Sequence, residues 1–177
     1  MSEIEIPTEH LHEHINEAAH EGKDKWSMLV AISTAFMAVF AAIGGLLAGH
    51  HSNHALICQV KASDQWAYYQ AKGIKAEVNN GILMLHPDKE SESLDAIKEK
   101  KAKYKEEQEA IKEKADELEK ESATHLHKDI TLAQSVTFFQ VAIAISAISI
   151  LSKKRILWYF ALVLSLGGIF QFIMGNI

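Results

Sequence analysis

The chain has 177 residues, 23% of them charged, a formal net charge of -5 and a mean hydropathy of -0.03. These averages describe an ordinary soluble protein without the basic surplus that nucleic-acid binding needs, and one cysteine excludes an intrachain disulfide. The averages conceal a segregation: stretches 27–49, 130–152 and 156–177 contain no Asp, Glu, Lys, Arg or His. A hydrocarbon core takes ~20 helical residues, so each stretch can span it unaided.

Residues 1–26 form an acidic leader, with Glu3, Glu5, Glu9, Glu13, Glu17 and Glu21 ahead of Lys23 and Lys25. A cleaved secretion signal would carry a basic leader and a shorter apolar run, so the first span is expected to be retained. Thr8 is an N-cap candidate for an amphipathic helix with Leu11, Ile15, Ala18 and Ala19 on one face. His10 and His14 with Glu13 and Glu17 could hold a divalent ion there, although ordinary solvation is the simpler explanation.

The first span, 27–49, carries the small-residue track Ala41, Gly45, Gly49, which predicts close helix packing. Residues 50–129 then hold thirteen lysines and read as two long helices with a reversal between them. The upstream arm has one seven-residue series at Ala55, Ala62, Tyr69, Ala76 and Leu83, with a companion at Gln59, Trp66, Gly73 and Asn80. A second apolar row, Val60, Ala67 and Ile74, lies on another face, and a helix with two apolar faces needs two neighbours. Asn79-Asn80-Gly81 and His86-Pro87 predict the break between the arms. The Ile82-Leu83-Met84-Leu85 cluster is read as a plug between the arms, the alternative being a docking patch. The downstream arm repeats Ile97, Tyr104, Ile111, Leu118, His125 and Leu132, with the polar or small companions Leu94, Lys101, Gln108, Ala115, Ser122 and Asp129.

The second span, 130–152, and the third, 156–177, flank a short turn, 153–155, made of Lys153, Lys154 and Arg155. The positive-inside bias places that turn in the cytoplasm. It follows that the N-terminus is cytoplasmic, the C-terminus outside, and residues 50–129 periplasmic in a bacterial inner membrane. The expected fold is thus an all-α membrane protein, three transmembrane helices with a long antiparallel, coiled-coil-like helical pair outside the membrane.

Candidate chemistry is sparse. His50, His51 and His54 close the first span while His125 and His127 precede the second, so a collar of His50, His54 and His125 would suit a divalent metal or a pH sensor. The plain alternative is that these rings occupy the headgroup zone. The spans lack the ionisable groups an active transporter uses. Gln134 and Gln140 could line a pore, but interhelical hydrogen bonding explains them more simply. No phosphate loop, nucleophile elbow or zinc-type cysteine pair occurs, so an enzyme is the least supported class and no cofactor is expected.

The segment Asp64-Gln65-Trp66-Ala67-Tyr68-Tyr69-Gln70-Ala71-Lys72, the Glu9-His10-Leu11-His12-Glu13-His14 leader and the three spans together resemble an uncharacterised bacterial membrane family of the domain-of-unknown-function type. The resemblance covers nearly the whole chain and implies topology without an activity. Physically, Trp66, Tyr69, Gln70 and Gly73 form an aromatic and amide cluster suited to a subunit contact. The expected function is a non-enzymatic, homo-oligomeric membrane scaffold or docking stalk, partnered by lipid, by its own copies and by a periplasmic protein. A passive channel and a histidine-based sensor are the alternatives.

Overall fold

A computed structural model describes residues 25–85 and 92–177. Its described secondary structure consists of helices α1 (Lys25–Leu85), α2 (Glu92–Ser152) and α3 (Arg155–Asn176). All three are long and apolar enough to cross a membrane. The expected leader helix from Thr8, with His10 and His14, and the turn at His86-Pro87 lie outside the described residues.

One expectation is corrected within α1. The helix does not break at Asn79-Asn80-Gly81 but continues to Leu85. Gly81 has no positive φ, and the Asn80 amide is occupied, its oxygen accepting from Lys101 Nζ at 2.6 Å and its nitrogen donating to Glu77 at 3.4 Å. A glycine costs a helix interior only about 1 kcal/mol, which these contacts offset. The plug fails with it: Ile82, Met84 and Leu85 are exposed, and only Leu83 is half-buried.

The described chain divides into two units, an apolar one (25–52 with 126–177) and a charged one (53–125). In the apolar unit the core gathers Ala31, Met37, Ala41, Phe139, Ala142, Ile143, Ala147 and Ala161. Small residues permit the approach and one aromatic fills it. A Cβ on Gly168 would stand 3.0 to 3.1 Å from the Phe139 ring, and one on Gly175 would stand 2.7 Å from Leu132 Cγ. Gly44 meets Val136 as closely, at 3.0 Å, whereas Gly45 and Gly49 have nothing within 4 Å. Of the small-residue track read in the sequence, Ala41 lies in the core, whereas beyond it the close contact falls on Gly44, one residue or about 100° of helix rotation from Gly45.

Hydroxyl groups of this unit find partners at short range, as an apolar solvent demands. Thr34 donates to the carbonyls of Val30 and Ala31, Ser135 to Leu132 and Ser146 to Ala142. Between helices, Trp158 Nε1 donates to Ser33 Oγ at 3.1 Å and Gln171 Nε2 to Gln134 Oε1 at 3.2 Å. Outward-facing Leu46, Phe36, Val163 and Leu166 leave an apolar exterior.

The connection between α2 and α3 is a Schellman turn. Lys154 N–H donates to Ser149 O and Lys153 N–H to Ile150 O, both at 3.2 Å, with Lys153 at φ 51°. Ser149 Oγ also donates to Lys154 O at 3.1 Å. A lysine in the left-handed region is strained where glycine is not. Lys153→Gly is expected to stabilise the apolar unit by about 1 kcal/mol, seen as a raised thermal midpoint in nanodiscs.

Candidate functional site

Within the charged unit the buried positions follow the seven-residue spacing. Ala55, Ala62 and Ala76 of α1 are buried, with Tyr69 and Leu83 partly so; on α2, Ile111, Ala115 and Ser122 are buried and Ile97, Tyr104, Leu118 and His125 half-buried. Contacts pair early residues of α1 with late residues of α2: Ser122 Oγ donates to Ala55 O at 2.8 Å, Gln108 Nε2 to Tyr69 O at 3.1 Å, and Lys101 to Asn80. Alanine and glycine at these positions let the backbones come close enough for a side chain to reach a main-chain carbonyl across the seam.

The aromatic cluster is engaged inside the chain. Trp66 Nε1 donates to Glu119 Oε1 at 2.7 Å, and its ring meets Tyr69 edge-on at 5.6 Å. A Cβ on Gly73 would stand 2.8 Å from Gln108 Nε2. Trp66, Tyr69 and Gly73 thus serve the contact between α1 and α2. Gln70 is exposed, and with Tyr69, Gly73, Ile74, Val78 and Gln108 it lines an open groove.

Lys72 pairs with Glu107 and stands 5.2 and 5.0 Å from the Tyr68 and Tyr104 ring centres. Hydrogen bonding to Glu107 holds the Lys72 ammonium above its ordinary pKa, and the same bond, against a desolvation penalty, holds Glu107 below its own. The depressed carboxyl contributes stability above its usual 4.5, lost as pH falls through the lowered folded value; the raised ammonium contributes below 10.5, lost as pH rises through the folded value. Wild-type stability is therefore expected to lose this contribution at both extremes. Lys72→Met should flatten both limbs in a pH series of denaturant midpoints.

The second cluster is histidine-centred. His54 and His125 stack with ring centres 4.1 Å apart and planes 28° apart. Ligand-capable atoms of His54, Glu121 and His125 all lie within 4.8 Å of one another. Cys58, buried one helical turn after His54, places Sγ 3.5 Å from His54 Nδ1. Burial first, then the charge and hydrogen bond of Glu121, push the Cys58 thiol up, with Lys61 opposing. Of the expected collar, His54 and His125 come together; His50 is exposed, its ring packing edge-on against His51 at 5.8 Å. Sequence reasoning missed Glu121 and Cys58. The available signal was their spacing: Cys58 follows His54 by four residues and Glu121 precedes His125 by four, so each shares a helix face with its histidine.

A third feature is the apolar row of α1 that finds no cover among the described residues. Ile57, Val60, Ile74 and Val78 are 52%, 54%, 66% and 57% exposed, and Ala67 is exposed between them. In the apolar unit, Gln134 is spent on Gln171, while Gln140 is half-buried.

A family model for a domain of unknown function, DUF4337, matches residues 26–177. The chain belongs to that family. The match takes in all three helices, including the Asp64–Lys72 segment on which the resemblance to an uncharacterised family rests. Comparison with curated proteins and with solved structures returned no match.

Proposed function

We propose that this DUF4337 protein is a non-enzymatic, homo-oligomeric scaffold of a bacterial inner membrane. Its charged unit is a coiled-coil-like helical hairpin outside the bilayer that docks other proteins. The observation that carries the reading is the uncovered row of α1. Ile57, Val60, Ala67, Ala71, Ile74 and Val78 recur at alternating three- and four-residue steps with Asp64 between them, the pattern of a helix seam, while the other seam of the same helix is already filled by α2. Full burial of such a side chain is worth about 1.5 to 3 kcal/mol, and with little more than half of each exposed about 1 to 2 kcal/mol remains to be gained, so water is an unfavourable permanent neighbour. A second copy of the chain supplies a matching row.

Two further observations agree. Gly45 and Gly49 have open space around them, as helices that pack against another copy in lipid require. The Lys153-Lys154-Arg155 turn is a short basic loop, which favours a cytoplasmic position for it, a cytoplasmic N-terminus and a periplasmic charged unit. A channel lined by span glutamines has less support, because the Gln134 amide is used between helices of the same chain. The deciding experiment is native mass spectrometry of the full chain released from nanodiscs. Masses at an integer multiple of the 19.7 kDa chain are expected, and a monomer at every concentration would refute the scaffold.

A further inference from the structure

We propose that His54, Cys58, Glu121 and His125 form a zinc site that ties α1 to α2 within the charged unit. This assignment goes beyond the scaffold reading and does not depend on copy number.

The donor set comes as two pairs, each spaced by four residues, so every pair projects from one face of one helix on successive turns. Two imidazoles, a thiol and a carboxylate offer the nitrogen, sulfur and oxygen donors that zinc takes in fourfold coordination. His54, Glu121 and His125 form one group of ligand atoms, which Cys58 joins through His54. With Zn–S at about 2.3 Å and Zn–N at about 2.05 Å, a tetrahedral S···N edge is ~3.5 Å. Cys58 Sγ and His54 Nδ1 stand 3.5 Å apart. The His54, Glu121 and His125 atoms, within 4.8 Å of one another, need to close by at most ~1.4 Å to reach nitrogen and oxygen edges near 3.4 Å, a movement on the scale of side-chain rotation.

Charge also balances. A thiolate and a carboxylate neutralise a dication, leaving both imidazoles neutral as ligands, and zinc displaces the thiol proton of Cys58 to solvent when it binds. Without a metal these groups hold an S–H···N hydrogen bond, a stacked imidazole pair and a hydrogen bond between the thiol and Glu121. Those two descriptions differ in what they predict for a spectroscopic probe.

The test uses the full chain in nanodiscs, stripped with a chelator and titrated first with Co²⁺ and then with Zn²⁺. One Co²⁺ per chain is expected, with the near-ultraviolet thiolate-to-cobalt band and strong visible absorption of a tetrahedral ion, displaced by Zn²⁺. Cys58→Ser abolishes the thiolate band and weakens zinc binding by more than about 100-fold, since even indirect supporters of a metal contribute 10- to 100-fold. His50→Ala leaves both unchanged. Because Cys58 is the sole cysteine, the band cannot arise from histidines of the N-terminal segment. A measurement without any substitution guards against misfolding of the variants: Zn²⁺ slows maleimide labelling of Cys58 in the wild type. Absence of the thiolate band, unchanged zinc affinity in a helical Cys58→Ser protein, or a labelling rate indifferent to Zn²⁺ would each overturn the site.

Discussion

Phe139→Ala is expected to destabilise the apolar unit by about 3 kcal/mol, the lower end of the range for removing a buried aromatic ring. The lower end applies because lipid, rather than water, surrounds helices that separate within a bilayer, which leaves lost packing as the main cost. Phe139 is 1% exposed, stacks on Phe40 at 5.9 Å, and presses its ring edge toward the position a Gly168 side chain would occupy. The reverse change, Gly168→Leu, is expected to cost about 1 to 3 kcal/mol by overpacking. Combined, the two should compensate, because leucine enters the space the ring vacates. A double-mutant cycle on unfolding in nanodiscs is expected to return a coupling of about 1 to 3 kcal/mol, whereas simple additivity would show that ring and glycine do not share a contact.

Loss of self-association is the second large effect. Val60→Glu with Ile74→Glu places two charges in the row that a second copy would cover. Each should cost at least ~1.4 kcal/mol of association, so dissociation constants rise by about 100-fold or more. Analytical ultracentrifugation in detergent should then find the monomer at concentrations where the wild type is assembled. Both positions are exposed in the single chain, so helicity is expected to be kept. Lys105→Gln with Lys114→Gln, on the exposed face of α2, lowers the net charge by the same amount, serves as a charge-matched comparison and should associate like the wild type. Equal association of the Val60/Ile74 variant and the wild type would show that the row is not the contact.

Much of the architecture was legible because its signals are long. Three charge-free stretches and the seven-residue series at Ile97 through Leu132 persist over many turns, and burial at Ile111 and Leu132 follows that series while burial at Ala115 and Ser122 follows its companion. Short signals served less well. Gln59 was expected in the companion seam, yet the buried residue is Cys58, since with small residues on several faces the register is weakly marked. Gly44 rather than Gly45 makes the close approach for the same reason. Asn-Gly is a frequent helix stop, but Asn80 finds partners in Glu77 and Lys101 that no local pattern announces. Glu121 stands in a run of mixed charge that reads as solvated surface. Only the second helix, placed beside His54, distinguishes it from its neighbours.

The link of Lys153 and Lys154 has a mechanical consequence. With two of its amides and one carbonyl hydrogen-bonded into the end of α2, it holds no slack, and α2 and α3 cannot part at that end without first breaking all three bonds. A pull applied along α2 would be handed to α3 directly rather than absorbed, so the pair should extract from a bilayer in a single step at a force set by both helices together.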